Sequence, residues 1–260
     1  MRVVQPSVAA VLEALELEQP QVVTTGDIDE LRRATSTTSS TRYVIELLTD
    51  EGWLLPLRSR GVWEFAPAAR AGAYGSGDPH IELRATLRKR PDLPVALAQE
   101  TAAWLHGLSG RPPTRDVLAA PEGMRLPPAL AAYRVVRAAT HLEPERHNEL
   151  PVWAVDTLLV AMADRPGSYR DWPNVTDWLS QAVARATGDG LRAELQDRTR
   201  AAWMRLAYLL DRGGDRALAT ELIGLAPPGQ GPYYLGPRSA HGTYHARFDV
   251  IDSSLVDNAP

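Results

Sequence analysis

The sequence predicts an α+β protein of two domains, in which a small helical domain with a β-hairpin precedes a larger domain of mixed α/β, mostly helical character. Three observations support this prediction. A two-helix pattern and a hairpin pattern follow each other within residues 22–65, helical and strand-like runs alternate after residue 78, and the segment between them is rich in alanine and glycine. With 260 residues, 44% of them hydrophobic, the chain is long enough to bury two cores.

Hydroxyl residues mark two helix starts near the amino terminus. Ser7 can cap a helix from Val8 to about Leu17. Thr24 and Thr25 can cap a second helix, because their hydroxyl groups accept hydrogen bonds from the free N–H groups of a first helical turn. We expect this second helix to end near residue 33.

A third helix follows after a turn over residues 34–37. It begins near Ser39 or Ser40, and its apolar residues recur at the spacing of one helical face. These apolar residues are Val44, Leu47 and Leu48. The opposite face is polar and includes Arg42 and Glu46.

Two strand-like runs come next, over residues 53–57 and 62–65. They are joined by Arg58-Ser59-Arg60-Gly61, in which Gly61 permits a tight reversal. Helices followed by such a hairpin are the outline of a winged helix-turn-helix, with the hairpin as its wing. The sequence therefore predicts a domain of this type over residues 1–68.

The charge of this domain gives mixed support for binding to double-stranded DNA. Residues 1–65 contain 6 arginines and no lysine against 10 acidic residues, which is unfavourable for nonspecific binding. The segment 32–42 nevertheless has three arginines and no acid, and the wing tip adds two more. Because the start of the second helix of a helix-turn-helix meets base edges, the basic and hydroxyl residues lie where DNA contacts form.

Three points stay open at this surface. Glu46 follows Arg42 by four residues, so it could neutralise that arginine or accept a hydrogen bond from a cytosine amino group. Tyr43 could contact DNA or form the rim of the core. A small helical domain that only mediates protein contacts would share the same pattern.

Residues 69–77 read as a linker, and we predict a second domain over residues 78–260. Asp78-Pro79 is a helix start, since proline at the first helical position gives up an N–H group that has no partner. The predicted helices are 79–90, 97–108, 155–163, 175–186, 191–210 with a break near 197–199, and 215–223. The predicted strands are 116–119, 133–138, 151–153, 232–235 and 244–251.

The sequence lacks the usual signatures of catalysis. Cysteine is absent, which excludes a disulfide framework and a thiolate nucleophile. There is no phosphate-binding loop, nucleophile elbow or zinc-binding helix motif, and Lys89, the single lysine, is not in a nuclease Glu-x-Lys motif. We therefore predict no enzyme activity, no metal and no cofactor. No apolar run approaches the ~20 residues that cross a bilayer, so we expect a cytoplasmic protein without membrane contact.

Four segments, in order and spacing, carry a family resemblance. They are EGWLL at residues 51–55 with GVW at 61–63, AAWLHGL at 102–108 with two prolines at 112–113, RAAWMRLAYLL at 200–210, and GPYYLGP at 231–237. Taken together, they resemble the AbiEi family of abortive-infection antitoxins, which belong to bacterial toxin-antitoxin systems of phage defence. The resemblance extends over nearly the whole chain.

The resemblance implies a protein with two functions. In such antitoxins the winged domain binds repeats in its own promoter and represses the operon, and the carboxy-terminal domain counteracts a cognate nucleotidyltransferase toxin, directly or indirectly. On this sequence we assign base reading to four residues, Ser39, Ser40, Arg42 and Tyr43. We assign phosphate contact to five, Arg32, Arg33, Thr38, Arg58 and Arg60.

Two alternatives remain. A stand-alone winged-helix repressor whose second domain senses a small molecule would share every feature of the first domain. An enzyme that uses an unrecognised carboxylate site is the other alternative.

Overall fold

The computed structural model of the protein describes residues 5–70, 75–238 and 241–255. It divides into two compact units, of which the first comprises Met1–Leu93 and Arg125–Ala131 and the second comprises Pro94–Met124 and Ala132–Pro260. The combination of helices with several sheets confirms the predicted α+β class. The predicted linker over residues 69–77 lies partly outside the described residues, and the predicted domain limits stay a prediction.

The first unit begins with three helices and three short strands. In chain order they are α1 (Ala9–Glu18), β1 (Val22–Thr24), α2 (Thr25–Ala34), α3 (Thr41–Asp50), β2 (Leu54–Pro56) and β3 (Val62–Phe65). The strands form an antiparallel sheet in the order β1-β3-β2, in which β2 and β3 are the predicted hairpin. This element order corresponds to the expected winged helix-turn-helix. Strand β1 was not predicted, because three residues are too few to show an alternating pattern.

The helix starts agree with the sequence at α2 and α3 but not at α1. The Thr24 hydroxyl accepts from the N–H of Asp27 at 3.1 Å, and the Asp27 carboxylate accepts from the N–H of Thr24 at 2.8 Å, which is a complete capping box. Ser7 does not cap α1. Val8 occupies the cap position instead, and its N–H group donates to the carbonyl of Gln5 at 3.1 Å.

The core of the first unit lies between the helices and the sheet. Of the predicted apolar face of α3, Val44 and Leu48 are buried, whereas Leu47 is partly buried and packs against the core. The other members of this core are Val8, Val11, Leu12, Leu15, Val23, Ile28, Trp53, Leu54 and Phe65. Burial of each such large side chain stabilises the fold by roughly 1.5–3 kcal/mol. This core fixes the direction of α3 and of the hairpin.

The next helix, α4 (Ile81–Lys89), also belongs to the first unit. It begins two residues later than Pro79, where the sequence placed it. The reason is the side chain of Asp78, which accepts from the N–H of His80 at 2.8 Å and from Nε of Arg84 at 2.7 Å, and so closes a turn before the helix.

The second unit contains a five-stranded mixed sheet. Its strands are β4 (Ala96–Leu97), β5 (Val117–Ala120), β6 (Arg134–Arg137), β7 (Glu145–His147) and β8 (Leu150–Val152), in the order β6-β5-β4-β8-β7. A smaller sheet is formed by β9 (Tyr233–Leu235), β10 (Thr243–His245) and β11 (Val250–Asp252). The short strands β4 and β7 were missed by the sequence analysis.

Helices account for most of the second unit. They are α5 (Gln99–Leu105), α6 (Val155–Asp164), α7 (Val175–Arg185), α8 (Gly188–Leu195), α9 (Arg200–Gly213) and α10 (Arg216–Leu225). The predicted break near residues 197–199 separates α8 from α9. Helix α9 lies at the centre of the core, where its buried residues pack against α6, α7 and α10. No helix in the described ranges is both long and apolar enough to span a bilayer.

Candidate DNA-binding surface

All nine predicted DNA-binding residues lie in the first unit, on α2, on α3, in the turn between them and at the hairpin. Seven are exposed: Arg33, Thr38, Ser40, Arg42, Tyr43, Arg58 and Arg60. Arg32 and Ser39 are partly buried. Most of the side chains that were predicted to contact DNA are therefore accessible. They differ in the hydrogen bonds and ion pairs that they form within the protein.

Asp29 is the centre of a polar cluster that joins α2 to the start of α3. Its carboxylate accepts from the Thr41 hydroxyl at 2.6 Å, from Arg32 Nη2 at 3.1 Å and from Arg33. These hydrogen bonds, of which the one from Thr41 is the strongest influence, lower the pKa of Asp29 from 3.8 to about 2. The carboxylate is therefore ionised at neutral pH and offsets charge on the two arginines.

Arg32 is tied into the turn by further hydrogen bonds. Its Nε donates to the Thr41 hydroxyl at 3.2 Å, and its Nη1 donates to the carbonyl of Thr37 at 3.3 Å. Only 25% of its side chain is exposed. In this conformation Arg32 holds the turn in place, whereas the mostly exposed side chain of Arg33 contacts Asp29.

The start of α3 is capped by Ser40, whose hydroxyl accepts from the N–H of Tyr43 at 3.3 Å. Thr38 is exposed just before this cap. The Tyr43 side chain is exposed, and its hydroxyl lies 3.5 Å from Oε1 of Gln5, at the limit of a hydrogen bond. Tyr43 is thus an accessible aromatic residue in the first turn of α3.

Arg42 and Glu46 form an ion pair. This pairing was one of the two roles that the sequence left open for Glu46. Arg42 Nε donates to Glu46 Oε1 at 2.7 Å, and the two side chains are 88% and 56% exposed. The hydrogen bond to Glu46 raises the pKa of Arg42 above its ordinary value. Because exposed ion pairs contribute little to stability, this pair can open at small cost when a phosphate or a base competes for the guanidinium group.

The guanidinium groups of Arg58 and Arg60 extend from the hairpin, and neither has a hydrogen bond or an ion pair within the described part of the chain. Their backbone is held firmly. The N–H of Arg58 donates to Glu82 Oε1 at 2.9 Å, and Nζ of Lys89 donates to the carbonyl of Arg60 at 2.7 Å. Gly61 has a φ of 74°, which favours glycine, and its carbonyl accepts from the N–H of Thr25 at 3.2 Å.

Lys89 is a basic residue at the wing that the sequence analysis did not assign to DNA. Its ammonium group adds a third cation beside Arg58 and Arg60, and it is exposed on α4. The basic run Arg88-Lys89-Arg90 was the available signal. The sequence prediction placed this run in the second domain, away from the wing. Arg88, by contrast, pairs with Asp27 at 2.7 Å.

Part of the second unit matches a known protein family. Residues 95–212 match the family model described as the AbiEi antitoxin C-terminal domain. This part of the chain is similar to AbiEi antitoxins. The resemblance that the sequence motifs indicated is thereby confirmed, and the match supports an antitoxin role in a toxin-antitoxin system.

A solved structure is similar over nearly the whole chain. It is the crystal structure of the RV2827C protein from Mycobacterium tuberculosis, with 27% sequence identity, a TM-score of 0.80, and coverage of 98% of this chain and 94% of that one. The similarity supports the fold of both units. The search of curated proteins gave no match.

Proposed function

We propose that this protein is a cytoplasmic AbiEi-type antitoxin that represses its own operon and counteracts a cognate nucleotidyltransferase toxin. The match of residues 95–212 to the antitoxin domain carries the antitoxin part of this proposal. The DNA-binding part rests on the accessible cations and hydroxyl groups of the first unit.

The side chains of the first unit that are available for DNA contact divide into two groups, in which all but the partly buried Ser39 are exposed. Arg58, Arg60 and Lys89 are cations at the wing, which suits them to phosphates of the duplex backbone. The second group lies at the start of α3 and comprises Thr38, Ser39, Ser40, Arg42 and Tyr43, the position from which a helix-turn-helix reads base edges. Arg32 and Arg33 share the carboxylate of Asp29, which offsets part of their charge, so we expect their phosphate contacts to be the weaker ones.

The DNA-binding proposal is tested with the double-stranded DNA upstream of the protein's own gene. Full-length wild type and Arg42→Ala are compared in electrophoretic mobility shift assays on the upstream repeats and on a scrambled duplex of equal length. We expect Arg42→Ala to weaken binding to the repeats and to leave binding to the scrambled duplex nearly unchanged. If both proteins bind the repeats with equal affinity, Arg42 does not read bases.

The antitoxin proposal is tested separately, by growth after co-expression with the neighbouring toxin gene from an independent promoter. The full chain carrying Arg58→Ala and Arg60→Ala is preferable to a truncation at residue 77, because a cut there would separate α4 from the wing that it supports. Rescue of growth by this variant would place the antitoxic activity outside the DNA-binding surface. Failure of the wild type to rescue growth would contradict the antitoxin proposal itself.

A further inference from the structure

The second unit contains a cavity of about 300 Å³ that none of the preceding functions uses. It lies beside β6 and α6, and both charged and apolar side chains line it. Its volume is at the lower end of the range of small-molecule sites.

Apart from Glu194, the buried side chains that line the cavity are uncharged. Trp153, Thr157 and Val160 line it and are buried, as is Gln99 at 2% exposure. Such a surface accommodates the less polar part of a ligand.

Gln99 is held in an unusual conformation on this wall. Its φ is 48°, in the left-handed region that residues other than glycine seldom adopt. Its Nε2 donates to the Ser168 hydroxyl at 2.6 Å, and its Oε1 accepts from Arg134 Nη2 at 3.1 Å. Strained residues of this kind persist where surrounding contacts enforce them, and they occur often at binding sites.

The rim of the cavity is cationic. Five arginines line the cavity, namely Arg134, Arg137, Arg165, Arg170 and Arg198. Against them the lining has two carboxylates, Asp164 and Glu194. The excess of positive charge indicates an anionic ligand.

The two carboxylates already have partners in the protein. Glu194 is buried, and its oxygens accept from the Thr157 hydroxyl at 2.7 Å and from the N–H groups of Leu142 at 3.1 Å and His141 at 3.2 Å. Asp164 pairs with Arg198 at 3.1 Å. They therefore serve the fold, and Arg198 is neutralised by its partner.

The remaining arginines differ in how many of their guanidinium N–H groups are available to a ligand. Arg134 is paired with the buried Glu100. Arg165 is 57% exposed and donates from Nη1 to the carbonyl of Arg137 at 2.7 Å, while its nearest carboxylates, Glu122 and Asp164, are 3.8 Å and 3.9 Å away. The exposed side chain of Arg170 makes no hydrogen bond or ion pair with any described residue. Arg165 and Arg170 thus keep donors free at the mouth of the cavity.

We propose that this cavity binds a phosphorylated small molecule of about mononucleotide size, with its phosphate on Arg165 and Arg170 and its less polar part on the buried wall. Guanidinium groups present paired N–H donors that match phosphate oxygens. A free phosphate would use the rim alone, whereas a nucleotide would also occupy the buried wall, so the volume and the mixed lining favour the nucleotide. This proposal does not depend on the antitoxin function or on DNA binding.

The test is isothermal titration calorimetry on the full-length protein, with ATP, GTP, CTP, UTP, adenosine and pyrophosphate as separate probes. We expect at least one nucleotide to bind more tightly than adenosine and than pyrophosphate, since both parts of the site would contribute. We expect Arg165→Gln and Arg170→Gln each to weaken the binding of that nucleotide by about tenfold or more. A loss of this size is typical of one charge-assisted contact to phosphate.

Arg216→Gln is the matched control, because Arg216 is an exposed arginine of the same unit outside the cavity. Thermal unfolding of each variant in the absence of nucleotide verifies that the fold is intact. The proposal is overturned if no nucleotide binds at millimolar concentration, if adenosine or pyrophosphate binds as tightly as the nucleotide, or if Arg216→Gln weakens binding as much as the two rim variants do.

Discussion

Glu82 on α4 accepts a hydrogen bond from the backbone N–H of Arg58 in the hairpin, at 2.9 Å. The helix that the sequence placed in the second domain therefore supports the wing of the first unit. The second carboxylate oxygen of Glu82 is buried and has no hydrogen-bond partner within the described residues. One oxygen thus makes the contact, and the other is a source of instability.

Replacement of Glu82 tests this support. We expect Glu82→Ala to lower the free energy of unfolding by roughly 0.5–1.5 kcal/mol, since the Arg58 N–H group loses its acceptor. Glu82→Gln is the matched control, because its side-chain oxygen can still accept, and we expect it to remain within about 0.5 kcal/mol of the wild type. Chemical denaturation measures both. Equal losses for the two variants would show that charge, and not the hydrogen bond, matters at this position.

The wing arginines are predicted to act on DNA of any sequence. Replacement of both Arg58 and Arg60 by Ala should weaken binding to specific and scrambled duplexes alike, because phosphate contacts carry no sequence information. The slope of log affinity against log salt should fall by about 1 for each lost contact. Fluorescence anisotropy at several salt concentrations measures this slope. Arg146→Ala, an exposed arginine of the second unit, should leave it unchanged.

Replacement of Glu46 distinguishes the two roles that the sequence left open for its carboxylate. If the carboxylate only neutralises the arginine, Glu46→Gln should raise the affinity for every duplex, because it removes a negative charge from the surface and releases Arg42. We predict this outcome from the 2.7 Å contact between the two side chains. A loss of affinity confined to repeats with one particular G·C pair would instead indicate that Glu46 accepts from cytosine.

Local chemistry made parts of this surface predictable and left other parts hidden. The caps at Thr24 and Ser40 followed from hydroxyl groups beside apolar helical faces, which act within a few residues. The i,i+4 spacing of Arg42 and Glu46 likewise indicated that the two side chains could form an ion pair. In contrast, the hydrogen bond from Thr41 to Asp29 joins two helices across a turn, so that no periodic pattern reports it.

At the wing and in the cavity, contacts between residues far apart in the sequence were likewise not predictable. Lys89 contacts Arg60 across 29 residues, and the short strand β1 exists only because it pairs with β3. In the second unit, the arginines of the cavity come from segments far apart in the chain. Their common location depends on tertiary packing, which a single sequence does not disclose.

The low pKa of Asp29 makes the joint between α2 and α3 sensitive to acid. Because the pKa in the folded protein is about 2 and the ordinary value is 3.8, the ionised carboxylate stabilises the fold at neutral pH, and this contribution is lost as the pH falls from 3.8 through about 2. We expect Asp29→Asn to be less stable than the wild type at pH 7, with a difference that narrows through this window. Thermal unfolding at a series of pH values measures it. Asp50→Asn, at an exposed carboxylate of α3, is the control, and a difference independent of pH would contradict the assignment.

Gly213 allows the close contact between the end of α9 and α7. A Cβ atom at this position would lie 2.4 Å from Cγ2 and 2.9 Å from Cβ of Val183, a stiff β-branched side chain. In a helix, alanine is normally favoured over glycine by roughly 0.5–1 kcal/mol, but overpacking costs about 1–3 kcal/mol, so the clash outweighs the propensity. We therefore expect Gly213→Ala to lower the free energy of unfolding by about 1 kcal/mol or more. Gly224→Ala in α10 is the matched control, because outside its own helical backbone and its chain neighbours no atom of the described residues lies within 4 Å of its Cβ position, and it should be neutral or stabilising. Chemical denaturation of both variants distinguishes the two effects, and stabilisation by Gly213→Ala would show that α7 can move away from α9 at little cost.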